Sequence, residues 1–357
     1  MILVTGGCGF IGSRFVLDWL GSRDEPLVNL DALTYAANPQ ALAALRHDPR
    51  YTFVHGDVRD RVLLDTVLAT HRPRAIVHLA AETHVDRAIA DATAFAQSNT
   101  LGTLTLLQAA RAHLQAGPAA DAAAFRFLHC STDEVFGSLT PDDAPCDEQA
   151  PYRPRNPYAA SKAAADHFVA AFHATHGLPT LVTRGSNTYG PGQHPEKLVA
   201  LAIGRILAGE PVPLYGDGSA VRDWLYVGDH VAALVAVLER GAPGQSYNVA
   251  GHQGVTNRTL VARLVAAVEL EARVRDDDSP AGCADTGRAT AHHGSDAARW
   301  IRFVADRPGH DRRYAMDDRK LRGETGWSPR VGLDEGLRST VRAAIEARRP
   351  AGGTSGR

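Results

Sequence analysis

The chain begins Met1-Ile2-Leu3-Val4-Thr5-Gly6-Gly7-Cys8-Gly9-Phe10-Ile11-Gly12, a short apolar strand, a glycine-rich turn and the start of a helix. The turn satisfies G-x-G-x-x-G from Gly7 and G-x-x-G-x-x-G from Gly6. Such glycines allow a tight turn and let backbone N–H groups approach a pyrophosphate at the positive end of the helix. Asp31 ends the next predicted strand, where an acid binds the adenosine ribose 2′-hydroxyl and disfavours a 2′-phosphate. The pattern predicts a dinucleotide site that prefers NAD to NADP, although such a turn can also merely pack a helix on a strand.

Downstream of this turn, apolar strands alternate with helical segments, which predicts a parallel sheet covered on both faces. The fold class expected is therefore α/β, a doubly wound parallel sheet of the Rossmann type with a smaller, discontinuous substrate domain. The predicted strands are 2–5, 27–31, 52–54, 75–79, 125–129, 180–183 and 246–249, and the predicted helices include 11–20, 99–112, 157–176 and 231–239.

The texture of the sequence changes after Arg184, where turn residues become frequent, and this sets the expected domain boundaries. We expect residues 1–189, 232–257 and 331–350 to form the NAD-binding domain, and 190–231 and 258–330 the substrate domain. Residues 275–299 lack periodicity and are predicted to be a surface loop, and 351–357 a disordered tail.

Composition excludes several function classes. The net charge of −2 gives no electrostatic reason to expect nucleic acid or an anionic membrane as a partner. The sequence shows no targeting segment and no long apolar run, so a cytoplasmic protein is expected. The four cysteines have neither C-x-x-C spacing nor a zinc-like arrangement with histidine, which predicts free thiols and no metal.

Tyr158 and Lys162 lie four residues apart in a predicted helix, so their side chains share one face. A Lys ammonium ~4 Å from the phenol would favour the phenolate by ~4 kcal/mol at an effective dielectric of ~20, and would make the tyrosine a usable base. Only Lys162, Lys197 and Lys320 are lysines in this chain, which uses arginine elsewhere. The pair predicts hydride transfer between an alcohol and a nicotinamide.

Two adjacent carboxylates, Asp133 and Glu134, stand upstream of this pair in Ser131-Thr132-Asp133-Glu134-Val135-Phe136-Gly137. An acid and a base side by side suit elimination, because one must start protonated and the other ionised. In isolation such a pair is more often a solvated loop; beside Tyr158 and Lys162 it predicts loss of water from an oxidised substrate.

Together these segments resemble the extended short-chain dehydrogenase/reductase family and, within it, the dTDP-glucose 4,6-dehydratases. The resemblance runs from residue 1 to about 340 and also rests on the segments 184–191, 195–198, 222–227 and 306–313. It implies that Tyr158 takes the proton of the glucose 4-hydroxyl, that Thr132 binds that oxygen, that Glu134 removes the C5 proton and that Asp133 protonates the leaving 6-hydroxyl. NAD would take the C4 hydride and return it to C6.

The resemblance also assigns binding residues. Those implied for NAD are Gly6, Gly9, Phe10, Ile11, Gly12, Asp31, Leu33, Thr34, Asp57, Val58, Leu79, Ala80, Ala81, Thr83, Ser98, Tyr158, Lys162 and Thr188. Those implied for a nucleoside-diphosphate sugar are Thr83, Thr132, Asn187, Lys197, Leu198, Pro213, Leu214, Tyr215, Arg222, Asn257, Asp306, Arg307 and His310. A homodimer is implied as well, formed through helices of the first domain.

Departures from the family pattern occur at Phe136, where tyrosine is usual, at His194, where an aromatic residue is usual, and at Gly228, where glutamate is common. Neither the nucleotide base nor the hexose follows from the residues themselves. Alternatives left open are a nucleotide-sugar 4-epimerase or decarboxylase, a dehydratase acting on a different sugar nucleotide, and an NAD-binding protein without activity.

Overall fold

The computed structural model describes residues 1–118, 124–277 and 297–348. Its central element is a seven-stranded sheet in the order β10-β6-β5-β4-β1-β2-β3, parallel at every pairing. The strands are β1 (Ile2–Thr5), β2 (Leu27–Asp31), β3 (Tyr51–His55), β4 (Ala75–His78), β5 (Arg126–Thr132), β6 (Thr180–Gly185) and β10 (Ser246–Val249). The predicted fold class, a doubly wound parallel sheet, is confirmed.

The described helices pack mainly on the two faces of this sheet or in a third core beyond it. They are α1 (Phe10–Ser22), α2 (Arg61–His71), α3 (Val85–Ala90), α4 (Ala92–Phe95), α5 (Gly102–Ala116), α6 (Pro157–His176), α7 (Leu198–Leu207), α8 (Val227–Arg240), α9 (Asn257–Asp277), α10 (Arg319–Thr325) and α11 (Leu333–Ala347). Side chains alternate along each strand. Ile2 and Val4 thus lie in one core with Trp19, while Leu3 lies in the other with Phe127.

The turn between β1 and α1 needs glycine at two positions. Gly6 has φ +73°, and a Cβ there would approach the backbone of Ala80 to 2.6 Å. A Cβ on Gly12 would come within 2.1 Å of the carbonyl oxygen of Gly6. The start of α1 is therefore pressed against the turn, and its first N–H groups face the carboxyl ends of the strands.

Two small sheets lie beyond these carboxyl ends. One is formed by β7 (Asn187–Tyr189), β9 (Val221–Tyr226) and β11 (Gly254–Thr256), and the other by β8 (Val212–Tyr215) and β12 (Ile301–Val304). They share a third core with α7, α9 and α11, in which Leu337 is fully buried. Helix α11 lies inside the predicted NAD-binding segment 331–350, yet it packs on α9 and α7. The proposed domain boundaries stay a prediction.

The predicted loop 275–299 is wrong at its ends. Helix α9 continues to Asp277, and a 3-10 turn spans Ala297–Trp300. The middle of that segment and the predicted tail lie outside the described residues. The predicted helix 99–112 is preceded by a π-helical turn, Ala96–Leu101, and continues to Ala116. None of the described helices is long and apolar enough to cross a membrane.

Candidate active site

A cleft of about 570 Å³ opens at the carboxyl ends of the central strands, between the sheet and the two smaller sheets. Of the residues predicted to bind NAD, the cleft is lined by Gly6, Gly9, Phe10, Ile11, Gly12, Asp31, Thr34, Asp57, Val58, Leu79, Ala80, Ala81, Thr83, Ser98, Tyr158, Lys162 and Thr188. Leu33 is the exception. Its side chain is more than a third exposed, and only its N–H takes part, donating to Asp31.

Asp31 fixes the turn that closes one end of this cleft. Its two carboxylate oxygens accept the N–H groups of Cys8 and Leu33, each at 2.8 Å. Burial, and then the Asp31 charge, raise the pKa of the Cys8 thiol to about 11, so the thiol stays protonated. A glycine turn without side chains, followed by a helix start and a fixed carboxylate, fits the pyrophosphate and ribose of NAD.

The two predicted catalytic carboxyls follow β5 on a 3-10 turn, Asp133–Phe136, and both line the cleft. Burial, then the Glu134 and Asp223 charges, raise the pKa of Asp133 well above its usual range. Thr132 donates to Asp133 Oδ1 at 3.3 Å, while Oδ2 has no hydrogen-bond partner among the described residues. Burial of this kind favours the protonated form of the carboxyl, which is the form that a general acid needs.

Glu134 differs from its neighbour in what surrounds it. Burial raises its pKa, and the net shift stays upward although a hydrogen bond from Asn156 and then the charges of Arg222 and Lys197 lower it. Asn156 Nδ2 lies 3.0 Å from Glu134 Oε2. The environments therefore favour a proton on Asp133 and a carboxylate at Glu134, which is the acid and base pairing that elimination needs.

Helix α6 brings Tyr158 and Lys162 into the same cleft, but their electrostatics differ from the expectation. Burial, then the charges of Glu134 and Cys130, raise the pKa of Tyr158 well above its usual range, although a side-chain hydrogen bond from Thr132 lowers it. Lys162 Nζ donates to the Cys130 carbonyl at 2.7 Å and lies 3.4 Å from His129 Nε2. The expectation for Lys162 counted its attraction alone, before desolvation, and desolvation is the largest influence on the Tyr158 pKa here.

A second pocket of about 260 Å³ adjoins the cleft and shares Thr83, Glu134 and Lys197 with it. Of the predicted substrate-binding residues, this pocket is lined by Thr83, Asn187, Lys197, Leu198, Pro213, Leu214, Tyr215, Arg222, Asn257, Arg307 and His310. Thr132 lines the larger cleft instead. Asp306 lines neither; it accepts from His310 Nδ1 at 2.6 Å. The structure thus brings most of the predicted set together.

Three cationic side chains line this second pocket, beside the carboxyls of Asp86, Glu134, Glu196 and Asp311; the cations are Lys197, Arg222 and Arg307. Lys197 Nζ donates to the Thr83 carbonyl at 2.9 Å, and Arg222 donates to the Asp311 carbonyl at 2.8 Å and stacks over Tyr314 at 4.4 Å. Arg307 pairs with Asp86 at 3.2 Å. Among these described side chains only Arg307 has a carboxylate within ion-pair distance, so Lys197 and Arg222 are the cations left to contact an anionic group such as a diphosphate.

The three departures from the family pattern sit in different surroundings. Phe136 packs edge-on against Tyr152, with Arg184 5.3 Å above its ring. His194 packs edge-on against Tyr35 at the cleft. A Cβ on Gly228 would meet Tyr226 at 3.2 Å, in a surface groove away from the cleft. Among the described residues, none of these three forms a side-chain hydrogen bond with the Asp133 or Glu134 carboxyl.

Sequence reasoning missed several residues of the site. Asn156 was detectable, since an Asn-Pro pair at the start of a helix indicates a capping residue, and Asn156 Oδ1 accepts the N–H of Ala159 at 2.8 Å. His230 lines the cleft and lies 2.7 Å from the Thr188 hydroxyl, with its pKa lowered to about 4 by burial. No sequence pattern signalled His230 or Tyr314.

Known proteins of one enzyme family are similar to this chain over nearly its whole length. The family model for GDP-mannose 4,6 dehydratase matches residues 3–340. The chain is 48% identical to the dTDP-glucose 4,6-dehydratase of Neisseria gonorrhoeae, over 95% of this chain and 94% of that protein. It is 42% identical to the enzyme of the same name from Escherichia coli, over 95% of this chain and 92% of that one.

Solved structures of related enzymes are also similar to this chain over nearly its whole length. The dTDP-glucose 4,6-dehydratase DesIV from Streptomyces venezuelae, solved with NAD bound, is similar with a TM-score of 0.83 and 42% identity over 97% of both chains. A UDP-glucose 4-epimerase from Thermotoga maritima has a TM-score of 0.79 but 26% identity, over 98% of this chain and 99% of that one. This chain belongs to the GDP-mannose 4,6-dehydratase family, within which these relatives at 42–48% identity are dTDP-glucose 4,6-dehydratases.

Proposed function

We propose that this chain converts dTDP-glucose to dTDP-4-keto-6-deoxyglucose, as an NAD-dependent hydro-lyase. The observation that carries the proposal is the pairing of a buried, proton-holding Asp133 with an adjacent Glu134 in the same cleft as Tyr158. Relatives of that name at 42–48% identity support the same reaction. Bound NAD supplies the two-electron acceptor that oxidises C4 and later reduces C6.

Each side chain has one proton to hold or move. Tyr158 must first lose its own proton, because burial raises its pKa; the phenolate then receives the proton of the sugar 4-hydroxyl as C4 is oxidised, and the Thr132 hydroxyl orients that oxygen. The C4 ketone makes the C5 proton acidic, and Glu134 removes it. Asp133 gives its proton to the departing 6-hydroxyl, which leaves as water. Glu134 then returns its proton to C5. The proton that Tyr158 gained and the proton that Asp133 gave are equal in number and exchange through solvent, so all three groups end the cycle as they began it.

Binding of the substrate uses the second pocket. Lys197 and Arg222 face the space where a diphosphate would lie between the sugar at Glu134 and a base further along the pocket. Tyr215 and Arg307, stacked at 4.4 Å, form the far part of that pocket. A nucleoside-diphosphate sugar therefore fits the residues, with thymine as the proposed base because the relatives share that substrate name.

Epimerisation at C4 is the alternative to dehydration on this fold, since a solved UDP-glucose 4-epimerase has a similar backbone. Epimerisation inverts C4 without losing water, so it has no use for an acid at Asp133 or a base at Glu134. The structure buries Asp133, leaves Glu134 partly exposed in the same cleft, and gives the two carboxyls different environments. That arrangement favours dehydration over epimerisation or decarboxylation.

We propose further that the enzyme is a cytoplasmic homodimer. Helices α5 and α6 pack side by side. Leu101, just before α5, is 52% exposed and Phe168 on α6 is 36% exposed, so they offer apolar surface to a second copy. Cys8, Cys130 and Cys146 are free thiols, which suits a reducing compartment. Sedimentation velocity of the purified protein tests the dimer, and a monomer at micromolar concentration would overturn it.

Substrate identity is tested by offering the purified protein dTDP-glucose, UDP-glucose and GDP-mannose separately, with no nicotinamide added. Mass spectrometry of the sugar nucleotide should show loss of one water from dTDP-glucose at a rate at least ~10-fold above the other two, a difference of ~1.4 kcal/mol. Faster dehydration of either other nucleotide would replace the proposed substrate. Absence of dehydration with all three would reject the function.

A further inference from the structure

Lys162 is a buried ammonium without a direct counter-ion. Only 3% of the residue is exposed, and in the described part of the chain it makes no ion pair. Its contacts are the Cys130 carbonyl at 2.7 Å and His129 Nε2 at 3.4 Å, both neutral. A buried charge is costly unless an opposite charge lies near, so the sequence must compensate Lys162 elsewhere.

Asp166 is placed to supply that compensation. It follows Lys162 by four residues on α6, so both side chains lie on one face of the helix. His129 Nε2 stands between them, 3.4 Å from the ammonium and 3.3 Å from Asp166 Oδ1. One ring nitrogen therefore separates the buried cation from a carboxylate that is itself only 3% exposed.

The rest of the cluster keeps Asp166 ionised and His129 neutral. Tyr152 donates to Asp166 Oδ2 at 2.5 Å, and Arg184 Nε lies 3.4 Å from the same oxygen. Burial raises the pKa of Asp166, but His129, Arg184 and Tyr152 together lower it to about 2. Burial lowers the pKa of His129 to about 4. At neutral pH the anion facing Lys162 is therefore Asp166.

We propose that Asp166, acting through His129, is the counter-charge that keeps the Lys162 ammonium charged and positioned for the reaction at Tyr158. Asp166 is thus a positioning residue outside the cleft, and its effect on catalysis rests on the proposed function, while its effect on Lys162 does not. The groups that act on Lys162 besides Asp166 and His129 are His78 from β4 and Cys130 from β5, while Arg184 from β6 pairs with Asp166.

The small number of lysines makes the proposal directly measurable. Protein grown with lysine carrying ¹³C at Cε should show three side-chain signals, from Lys162, Lys197 and Lys320. Lys197→Arg and Lys320→Arg variants assign the signals. Titration of Asp166→Asn should move the Lys162 midpoint down by roughly one pH unit or more, since removal of a buried anion disfavours the ammonium. The signals of Lys197 and Lys320 should not move.

Tyr152→Phe is the matched control, because it removes the 2.5 Å hydrogen bond to Asp166 and leaves the carboxylate charge in place. Its Lys162 midpoint should stay within a few tenths of a unit of wild type. Should Asp166→Asn fail to fold, as judged by circular dichroism, Arg184→Met tests the opposite sign: removal of a competing cation should raise the Lys162 midpoint. An unchanged Lys162 midpoint in whichever of these two charge variants folds would overturn the proposal.

Activity provides the second readout. The alkaline limb of the dehydration rate should move to lower pH in Asp166→Asn by the same amount as the Lys162 midpoint, so that the loss of rate grows with rising pH and is small below the new midpoint. A uniform loss at all pH values would mean a structural role and would contradict the proposal. Were the Lys162 midpoint to fall without any dehydratase activity in the wild type, the counter-charge would stand and the proposed function would not.

Discussion

Asn156 holds the proposed base and the helix of the proposed tyrosine at the same time. Its Nδ2 donates to Glu134 Oε2 at 3.0 Å, and its Oδ1 caps α6 by accepting the N–H of Ala159 at 2.8 Å. Tyr158 lies in the first turn of that helix. Asn156 therefore links the residue proposed to deprotonate the 4-hydroxyl with the residue proposed to act at C5.

Asn156→Ala should lower both stability and activity. Loss of the helix cap costs about 1 kcal/mol, and loss of the amide donor removes a hydrogen bond that favours the Glu134 carboxylate. We expect the elimination rate to fall about 10-fold. Asn156→Ser is the control, because serine caps helices and cannot reach Glu134 in the same way. It should recover most of the stability, measured by urea denaturation, without recovering the rate. Full activity in Asn156→Ala would contradict this role.

Glu134→Gln should separate the two halves of the reaction. The amide cannot remove the C5 proton, so turnover should fall by about 10²-fold or more. Oxidation at C4 should still occur, since Tyr158 and Thr132 are unchanged. Stopped-flow absorbance should then show reduced nicotinamide accumulating on the enzyme after substrate is added. Turnover near that of wild type would mean that Glu134 is not the base.

Lys197→Met should weaken substrate binding more than it slows chemistry. Lys197 lies at the start of α7 and lines the second pocket, and among the described residues no carboxylate lies within ion-pair distance of its ammonium. Removing a charge-assisted contact with a diphosphate should raise KM about 10-fold or more and change kcat less than KM. Lys320→Met carries the same chemical change at a site where Nζ bonds Gln245 and Ser246, away from the cleft. Equal effects of the two substitutions would remove Lys197 from the substrate site.

Asp133 should make the stability of the protein fall with rising pH. Its folded-state pKa lies well above the unfolded value of 3.8, so the folded protein holds a proton that the unfolded chain has lost. The stabilisation is complete below pH 3.8 and disappears as pH rises through the folded pKa. In Asp133→Asn this contribution to the slope vanishes. Thermal unfolding of both proteins from pH 5 to pH 9 measures it, and parallel curves would show that Asp133 carries no raised pKa.

Sequence pattern was sufficient wherever a feature is local. The strand, glycine turn and helix that begin the chain follow from local spacing, because Gly12 lies so close to the Gly6 carbonyl that a side chain would not fit. The positions of Asp133, Glu134, Tyr158 and Lys162 at the carboxyl edge of a parallel sheet follow from strand order. All four were predicted and all line the cleft.

What the sequence could not supply depends on burial and on contacts between distant segments. The Tyr158 pKa is raised because its surroundings exclude water, which the four-residue spacing to Lys162 does not reveal. His129 and Asp166 lie 37 residues apart and meet only because β5 and α6 pack together. Leu33 and Asp306 were placed by resemblance, and the backbone here turns their side chains out of both pockets.

In their proposed roles, Asp133 and Glu134 turn an oxidation into a dehydration that consumes no nicotinamide. Purified protein should be incubated with dTDP-glucose deuterated at C4, without added NAD, and the product examined by mass spectrometry and NMR. The product should be lighter than the substrate by one water, with the deuterium moved from C4 to C6. A C4 epimer of unchanged mass would contradict these roles.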